Sequence, residues 1–341
     1  MPRTSTALPG AAENRRLRLR TARFSLGSAV ALCLGKLAVG VVSGSLGVLA
    51  SAMDNVADIF MSGVNLLSIR KALDPADEGH PYGHGKVETL ATLFQGSVIA
   101  LTGVGVAWEA VRRLREGLAP SGLGLDIGIF AMAFSVAASW LVSRRIRRAG
   151  EATGSTALAA DALHFRTDVY SGSGILVSLL LYRYTGWRWL DPGIALAVGV
   201  YIAGAAVPLL MGAVQDLTDR GLPPETVQSI AGIIDEHRPM VLEWHNLRTR
   251  RSGSEVQVDF HVVVCREQSV EDAHRVADHL EHDIQKLLGN AHVVTHVDPC
   301  AVDCPGAHDC ARVKEMIRTL HSPERDGARD GQATPGGGTG N

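Results

Sequence analysis

Ser51-Ala-Met-Asp54-Asn-Val-Ala-Asp58 lies inside one apolar stretch of the chain and His164-Phe-Arg-Thr-Asp168 inside another. In each, two side chains that can ligate a cation are spaced i, i+4, which on a helix sets both on one face, one turn apart. Ionised groups in an apolar segment carry a penalty of several kcal/mol and mark a pathway or a site more often than they fill space. The plainer reading is that they bridge packed helices or face a water pocket, but two matched pairs make it the weaker one. If the two faces meet, three carboxylates and one imidazole converge, a donor set that suits tetrahedral Zn²⁺.

Working outward, six segments have the roughly 20 mostly apolar residues that a membrane crossing needs: 23–43, 46–70, 87–111, 122–143, 155–182 and 190–212. Ser43, Gly44 and Ser45 connect the first two so tightly that they must be antiparallel neighbours. Asp54 falls about 9 residues, or about 14 Å at about 1.5 Å per residue, from the outer end of its segment, near mid-membrane. Arg15, Arg16, Arg18, Arg20 and Arg23, with Arg144, Arg145, Arg147 and Arg148, place positive charge on one side. The positive-inside bias then puts both termini in the cytoplasm, with Arg70, Lys71 and Lys86 in agreement and Arg112, Arg113 and Arg115 against it. With no cleavage site in view, the first segment reads as an uncleaved span. Lys36, alone in that span, reads as a side chain that snorkels to the surface, and the partner of Arg166 is not apparent.

After Asp216 the continuous apolar pattern stops. Pro223 and Pro224 open a helix to about Glu236, strands follow near 241–250 and 255–265, Ser269–Leu288 reads as a second helix, and a last strand covers 292–298. Ser269 with Asp272 resembles a capping box, and Gly289 stands where a helix stop is expected. The expected architecture is thus an all-α six-helix membrane bundle over 23–215, preceded by a basic cytosolic segment (1–22). A cytosolic α+β domain of ferredoxin-like αββαβ order follows over 216–300, then a disordered Cys/His-containing, Gly-rich tail over 301–341.

A net charge of −2 gives no electrostatic case for nucleic acid, which is excluded as a partner. Of 13 histidines, His80, His84 and His164 precede Asp216 and the other ten follow it. The five cysteines, Cys33, Cys265, Cys300, Cys304 and Cys310, do not form the paired framework of a secreted domain, which suits reduced thiols in the cytosol. Strand alternation puts His261 on one face with Gln257 and Asp259, opposite Val256, Val258 and Phe260; His296 and Asp298 also share a face.

Asp54-x-x-x-Asp58, His80-Pro-Tyr-Gly-His84-Gly-Lys86-Val-Glu88, His164-x-x-x-Asp168 and His296-Val-Asp298-Pro-Cys300 together resemble the cation diffusion facilitator family, its bacterial zinc and ferrous-iron efflux branch, over about residues 20–300. The resemblance implies a homodimer in the lipid of the bacterial inner membrane that exchanges a divalent metal, Zn²⁺ first and Cd²⁺ or Fe²⁺ next, for protons. It implies a transport site of Asp54, Asp58, His164 and Asp168. Histidine at 164 goes with zinc and cadmium, where manganese-type members carry aspartate, and Arg166 departs from the neutral residue expected there.

Two further Zn²⁺ sites, structural or regulatory, are implied by the same resemblance. Asp77, His80 and His84 form one in the loop between the second and third spans, against the plain reading of a solvated loop. His245, His261, His274, His296 and Asp298 form a binuclear one in the cytosolic domain, with Asp298 bridging. Lys86 and Asp219 match a family salt bridge that would hold subunits together. Cys300, Cys304, His308 and Cys310 read equally well as zinc or copper ligands and as free thiols, and Cys33 as a buried small residue. His279, His282 and His292 stay unassigned. An intramembrane metalloenzyme is disfavoured by the lack of an HExxH motif or a paired nucleophile and base; a metal sensor that uses the soluble histidines is the remaining alternative to an antiporter.

Overall fold

The computed structural model describes residues 11–43, 46–116, 125–185, 187 and 189–301; within its helices, the side chains at 11, 39–40, 42–43, 46–54, 125–131, 179 and 182–183 lie outside the described set. Two compact units emerge: one up to Thr218 with Ser252–Ser254, the other made of Asp219–Arg251 and the chain from Glu255.

The first unit is all-α: α1 (Ala11–Ser43), α2 (Leu46–Ala72), α3 (Lys86–Glu116), α4 (Leu125–Thr153), α5 (Thr156–Thr185) and α6 (Leu190–Leu217). Ala22, Ala29, Ile69, Ile146, Leu158 and Phe165 form a buried core shared by α1, α2, α4 and α5. Ile99, Ile202 and Ala206 form a second one between α3 and α6. Helices α3 and α6 pack backbone against backbone. A Cβ on Gly103 would lie 2.5 Å from the Ala203 nitrogen and 2.8 Å from the Gly199 oxygen; one on Gly199 would lie 2.7 Å from the Ala107 nitrogen. Gly103-x-x-x-Ala107 thus faces Gly199-x-x-x-Ala203, the small-residue arrangement that lets helices pack backbone to backbone in lipid.

Charge is also buried here. Arg18 of α1 pairs with Glu88 of α3, with side chains 5% and 0% exposed. The other Glu88 oxygen accepts the Ser155 hydroxyl and, at 3.2 Å, the Ala157 backbone N–H. One carboxylate therefore satisfies a guanidinium and the open N-terminus of α5 at once, the condition under which a buried ion pair is tolerated. Arg18, in the first half of α1, is thus buried within the helix bundle.

Six membrane spans are not what the described residues contain. Only α3 and α6 are long and apolar enough to cross a membrane. Asp58 in α2 and Arg166 and Asp168 in α5 interrupt the apolar run, and α1, α2, α4 and α5 all include residues outside the described side chains. Within the most apolar windows of α3 and α6, 33% and 17% of residues are buried, far less than the core helix of a soluble protein would bury.

The second unit holds α7 (Pro224–Glu236), β1 (Glu243–Ser252), β2 (Glu255–Val264), α8 (Val270–Leu288) and β3 (Ala291–Pro299). Pro224 at the first position of α7 loses no helical hydrogen bond. Ser269 caps α8, its hydroxyl oxygen accepting the Asp272 N–H at 3.1 Å. Gly289, at φ 77°, ends the helix in the left-handed region that other residues resist. The sheet order is β1-β2-β3, with β2 and β3 parallel, and the two-residue link between β1 and β2 makes that pair antiparallel. Val256, Val258, Phe260, Val262 and Val264 point inward from β2 against Ile230 and Ile234 of α7 and Val276, Leu280 and Ile284 of α8. This is an open three-stranded sheet and does not match the closed ferredoxin-like fold expected. The order of elements is a local property of the chain, whereas closure depends on strand pairing that element order does not dictate.

Candidate metal centre

Helices α2 and α5 bring Asp58, His164 and Asp168 together, with one ligand atom from each within 4.8 Å of the others. The His164 Nε2–H donates to Asp58 Oδ1 at 2.8 Å, and the two side chains are 13% and 14% exposed. Asp54 lies on α2 one turn earlier, and its side chain is outside the described set. Phe165 meets the His164 ring edge to face at 6.0 Å, and buried Thr167 donates its hydroxyl to the His164 carbonyl at 2.7 Å.

Three residues near this cluster have partners that the sequence did not name. Arg166 projects away from it, donating to the Tyr170 hydroxyl at 2.7 Å beside the Tyr170–Tyr201 edge contact. Lys36 does not merely snorkel: its Nζ donates to Asn55 Oδ1 at 2.8 Å, next to Asp54 in sequence. Asp161, fully buried, faces Ser25, Asn65 and Ser62 on α1 and α2. Its only sequence signal was the i, i+3 spacing to His164.

A second cluster comes from the turn between α2 and α3. Asp77 Oδ1 accepts the His80 backbone N–H at 2.7 Å, His84 Nε2 lies 3.2 Å from Asp77 Oδ2, and the two imidazoles are 4.5 Å apart. The His80 N–H holds the Asp77 carboxyl below the usual carboxylate range, aided by both histidines. His84 is 4% exposed; among the described residues its buried Nδ1 has no hydrogen-bond partner, and its buried Nε2 faces Asp77 Oδ2 without hydrogen-bond geometry. A buried imidazole with open nitrogens beside an ionised carboxylate fits a metal ligand set.

The second unit gathers His245, His261 and Asp298 within the same 4.8 Å limit. Parallel pairing of β2 with β3 sets His261 opposite His296. Asp298 uses both oxygens: Oδ2 lies 3.1 Å from His261 Nδ1 and 3.6 Å from His245 Nε2, and Oδ1 lies 3.3 Å from His296 Nε2. A carboxylate with imidazoles at each oxygen suits a bridging role between two ions. The hydrogen bond from His261, with His296 and His245 nearby, holds Asp298 below the usual range. His274 stands apart from this group, with Nε2 3.4 Å from Asp278 on α8. Asp219 pairs with Arg250 at 3.3 Å. Cys265 is disulfide-bonded, contrary to the expectation of reduced thiols, and Cys300 is a free, buried thiol. Cys304, His308 and Cys310 lie outside the described residues.

Comparison with known proteins covers both units. Residues 22–218 match the cation efflux transmembrane domain, and residues 222–300 match the cytoplasmic domain of cation efflux proteins. The cation-efflux pump FieF of Shewanella oneidensis is 35% identical over 286 residues, 82% of this chain and 94% of its own length. FieF of Klebsiella pneumoniae (strain 342) is 36% identical over 289 residues, 84% of this chain and 94% of that protein. An uncharacterized transporter of Synechocystis is 32% identical over 278 residues, 81% of this chain and 88% of it. Carboxylates and imidazoles gathered between helices, with both cation-efflux domains in order, make this chain a member of the cation diffusion facilitator family, a transmembrane cation transporter and not an enzyme.

Proposed function

We propose that the protein exports Zn²⁺, with Cd²⁺ or Fe²⁺ as weaker alternatives, from the bacterial cytosol in exchange for protons. It does so as a homodimer in the inner membrane, with both termini cytoplasmic. The observation that carries this reading is the Asp58–His164–Asp168 cluster across α2 and α5. One imidazole among carboxylates favours a borderline cation of the zinc type over the oxygen-loving manganese and magnesium. Homology to pumps named for cation efflux supports the direction of transport, and the match to a dimerisation-type cytoplasmic domain supports the homodimer.

Proton coupling follows from the hydrogen bond between His164 and Asp58. At 2.8 Å the pair must hold a proton between Nε2 and Oδ1. A cation that takes both atoms as ligands has to expel that proton, and a proton returning from the far side favours release of the cation. Asp168, and Asp54 from the neighbouring turn of α2, complete the donor set. Asp77, His80 and His84 would hold a second zinc ion at the loop. His245, His261, His296 and Asp298 would hold the zinc of the cytoplasmic domain, and His274, which stands apart beside Asp278, is left out of the set.

Purified protein in sealed vesicles tests the reading. With Zn²⁺ outside and the lumen acidic, zinc should accumulate inside while protons leave, and collapse of the pH gradient should slow it. Zinc flux that moves no protons would remove the exchange from the account. Zinc binding with no flux at all would instead make the protein a membrane sensor.

A further inference from the structure

Outside the three clusters that the sequence singled out, one more set of ligating side chains converges among the described residues of the second unit: His237, His279 and Asp283. His237 is the residue that ends α7, with its side chain 9% exposed; His279 and Asp283 follow one another by a turn on α8. The His237 Nδ1–H donates to the Ile233 carbonyl at 2.8 Å. A carbonyl oxygen can only accept, so this bond places the proton on Nδ1 and leaves Nε2 as the ligand atom, the arrangement that orients most metal-bound imidazoles.

We propose that His237, His279 and Asp283 form a further divalent-metal site, for a borderline cation such as Zn²⁺, that ties the end of α7 to α8. The distances decide between a metal site and a set of ordinary ion pairs. His237 Nε2 and His279 Nε2 each lie 3.6 Å from the same oxygen, Asp283 Oδ2. That is too long for a hydrogen bond but close to the separation of about 3.3 Å between two tetrahedral ligands that are each about 2.0–2.1 Å from a zinc ion. The rings meet edge to face at 5.3 Å, so they do not stack in place of binding. Asp283 Oδ1, the oxygen not needed, faces Lys286 Nζ at 3.4 Å. Three protein ligands leave one position for water.

This site is separate from the Asp298 cluster. Val276, Leu280 and Ile284 of α8 pack on the sheet face that carries Val258, Phe260 and Val262, whereas His261 alternates to the opposite face. The proposal is also independent of the direction or coupling of transport, because it concerns only what the second unit binds.

Zinc bound per chain is counted in the full-length protein after dialysis against buffered free Zn²⁺, in the parent, His279→Gln and Asp283→Asn. His292→Gln, outside the cluster, is the control. Each of the two cluster variants should bind one equivalent fewer than the parent, and the control should bind as many. Both positions are partly exposed, so the unfolding midpoint of the metal-free variants should match the parent's. A measurement on the parent alone removes dependence on variant folding: Zn²⁺ should shield His279 from carbethoxylation by diethyl pyrocarbonate, read by mass spectrometry. An unchanged zinc count in the folded variants, or His279 labelled at the same rate with and without Zn²⁺, overturns the proposal.

Discussion

Replacement of Asp168 by alanine, or of His164 by alanine, is expected to lower zinc flux in reconstituted vesicles by more than about 100-fold while the protein remains folded. Loss of a group that merely orients a metal ligand costs about 10–100-fold in affinity, and these two side chains are proposed as ligands. Asp168 and His164 sit one turn apart on α5, within 4.8 Å of the Asp58 oxygen on α2, so either substitution leaves an incomplete site. Both are only partly buried, and neither contributes to the apolar core formed by Phe165, Leu158 and Ile146. The bundle should therefore survive, as a monodisperse elution profile would show. Flux within a few-fold of the parent in either variant would remove α5 from the cation's path.

An equally large effect, on assembly this time, is expected from Gly103→Val. A Cβ there meets backbone atoms of α6 at 2.5 and 2.8 Å, and backbone on a packed helix has no rotamer with which to give way. Overpacking a core commonly costs about 1–3 kcal/mol, and here the two helices must separate along their length. Gly105 provides the control on the same helix, since a Cβ at that position meets nothing within 4 Å. Gly103→Val should lower the unfolding midpoint in detergent sharply and yield aggregated protein, and Gly105→Val should leave both nearly unchanged. Equal behaviour of the two variants would mean that α3 and α6 do not pack through their small residues.

How much of this was legible beforehand depended on whether the information was local. The i, i+4 spacing of Asp54 with Asp58 and of His164 with Asp168 is local, as is the alternation that sets His261 on a polar face; the second unit's order of helices and strands, with the Ser269 cap, is local too. The pairing of Asp58 with His164 needed α2 to lie against α5, and the meeting of His261 with His296 needed the β2–β3 register. Counting apolar residues gave six spans, because long helices with a few interior charges look alike whether or not they are apolar enough to cross a membrane; among the described residues only α3 and α6 are. The three-stranded sheet stays open for a comparable reason, since element order carries no term for closure. Arg166 found Tyr170 one turn on, a contact that spacing allowed but did not single out. His237 was the least visible of all: it ends a helix with no ligating residue three or four positions away, and its partners lie on α8, beyond two intervening strands.

The central claim is that the transported cation rests between α2 and α5. It is tested most directly by locating the metal itself, through anomalous scattering from crystals of the full-length protein loaded with Zn²⁺. The account predicts a zinc peak within about 2.0–2.2 Å of a ligand atom from each of Asp58, His164 and Asp168. Protein saturated with zinc at the loop and cytoplasmic clusters, with no peak between α2 and α5, would contradict it.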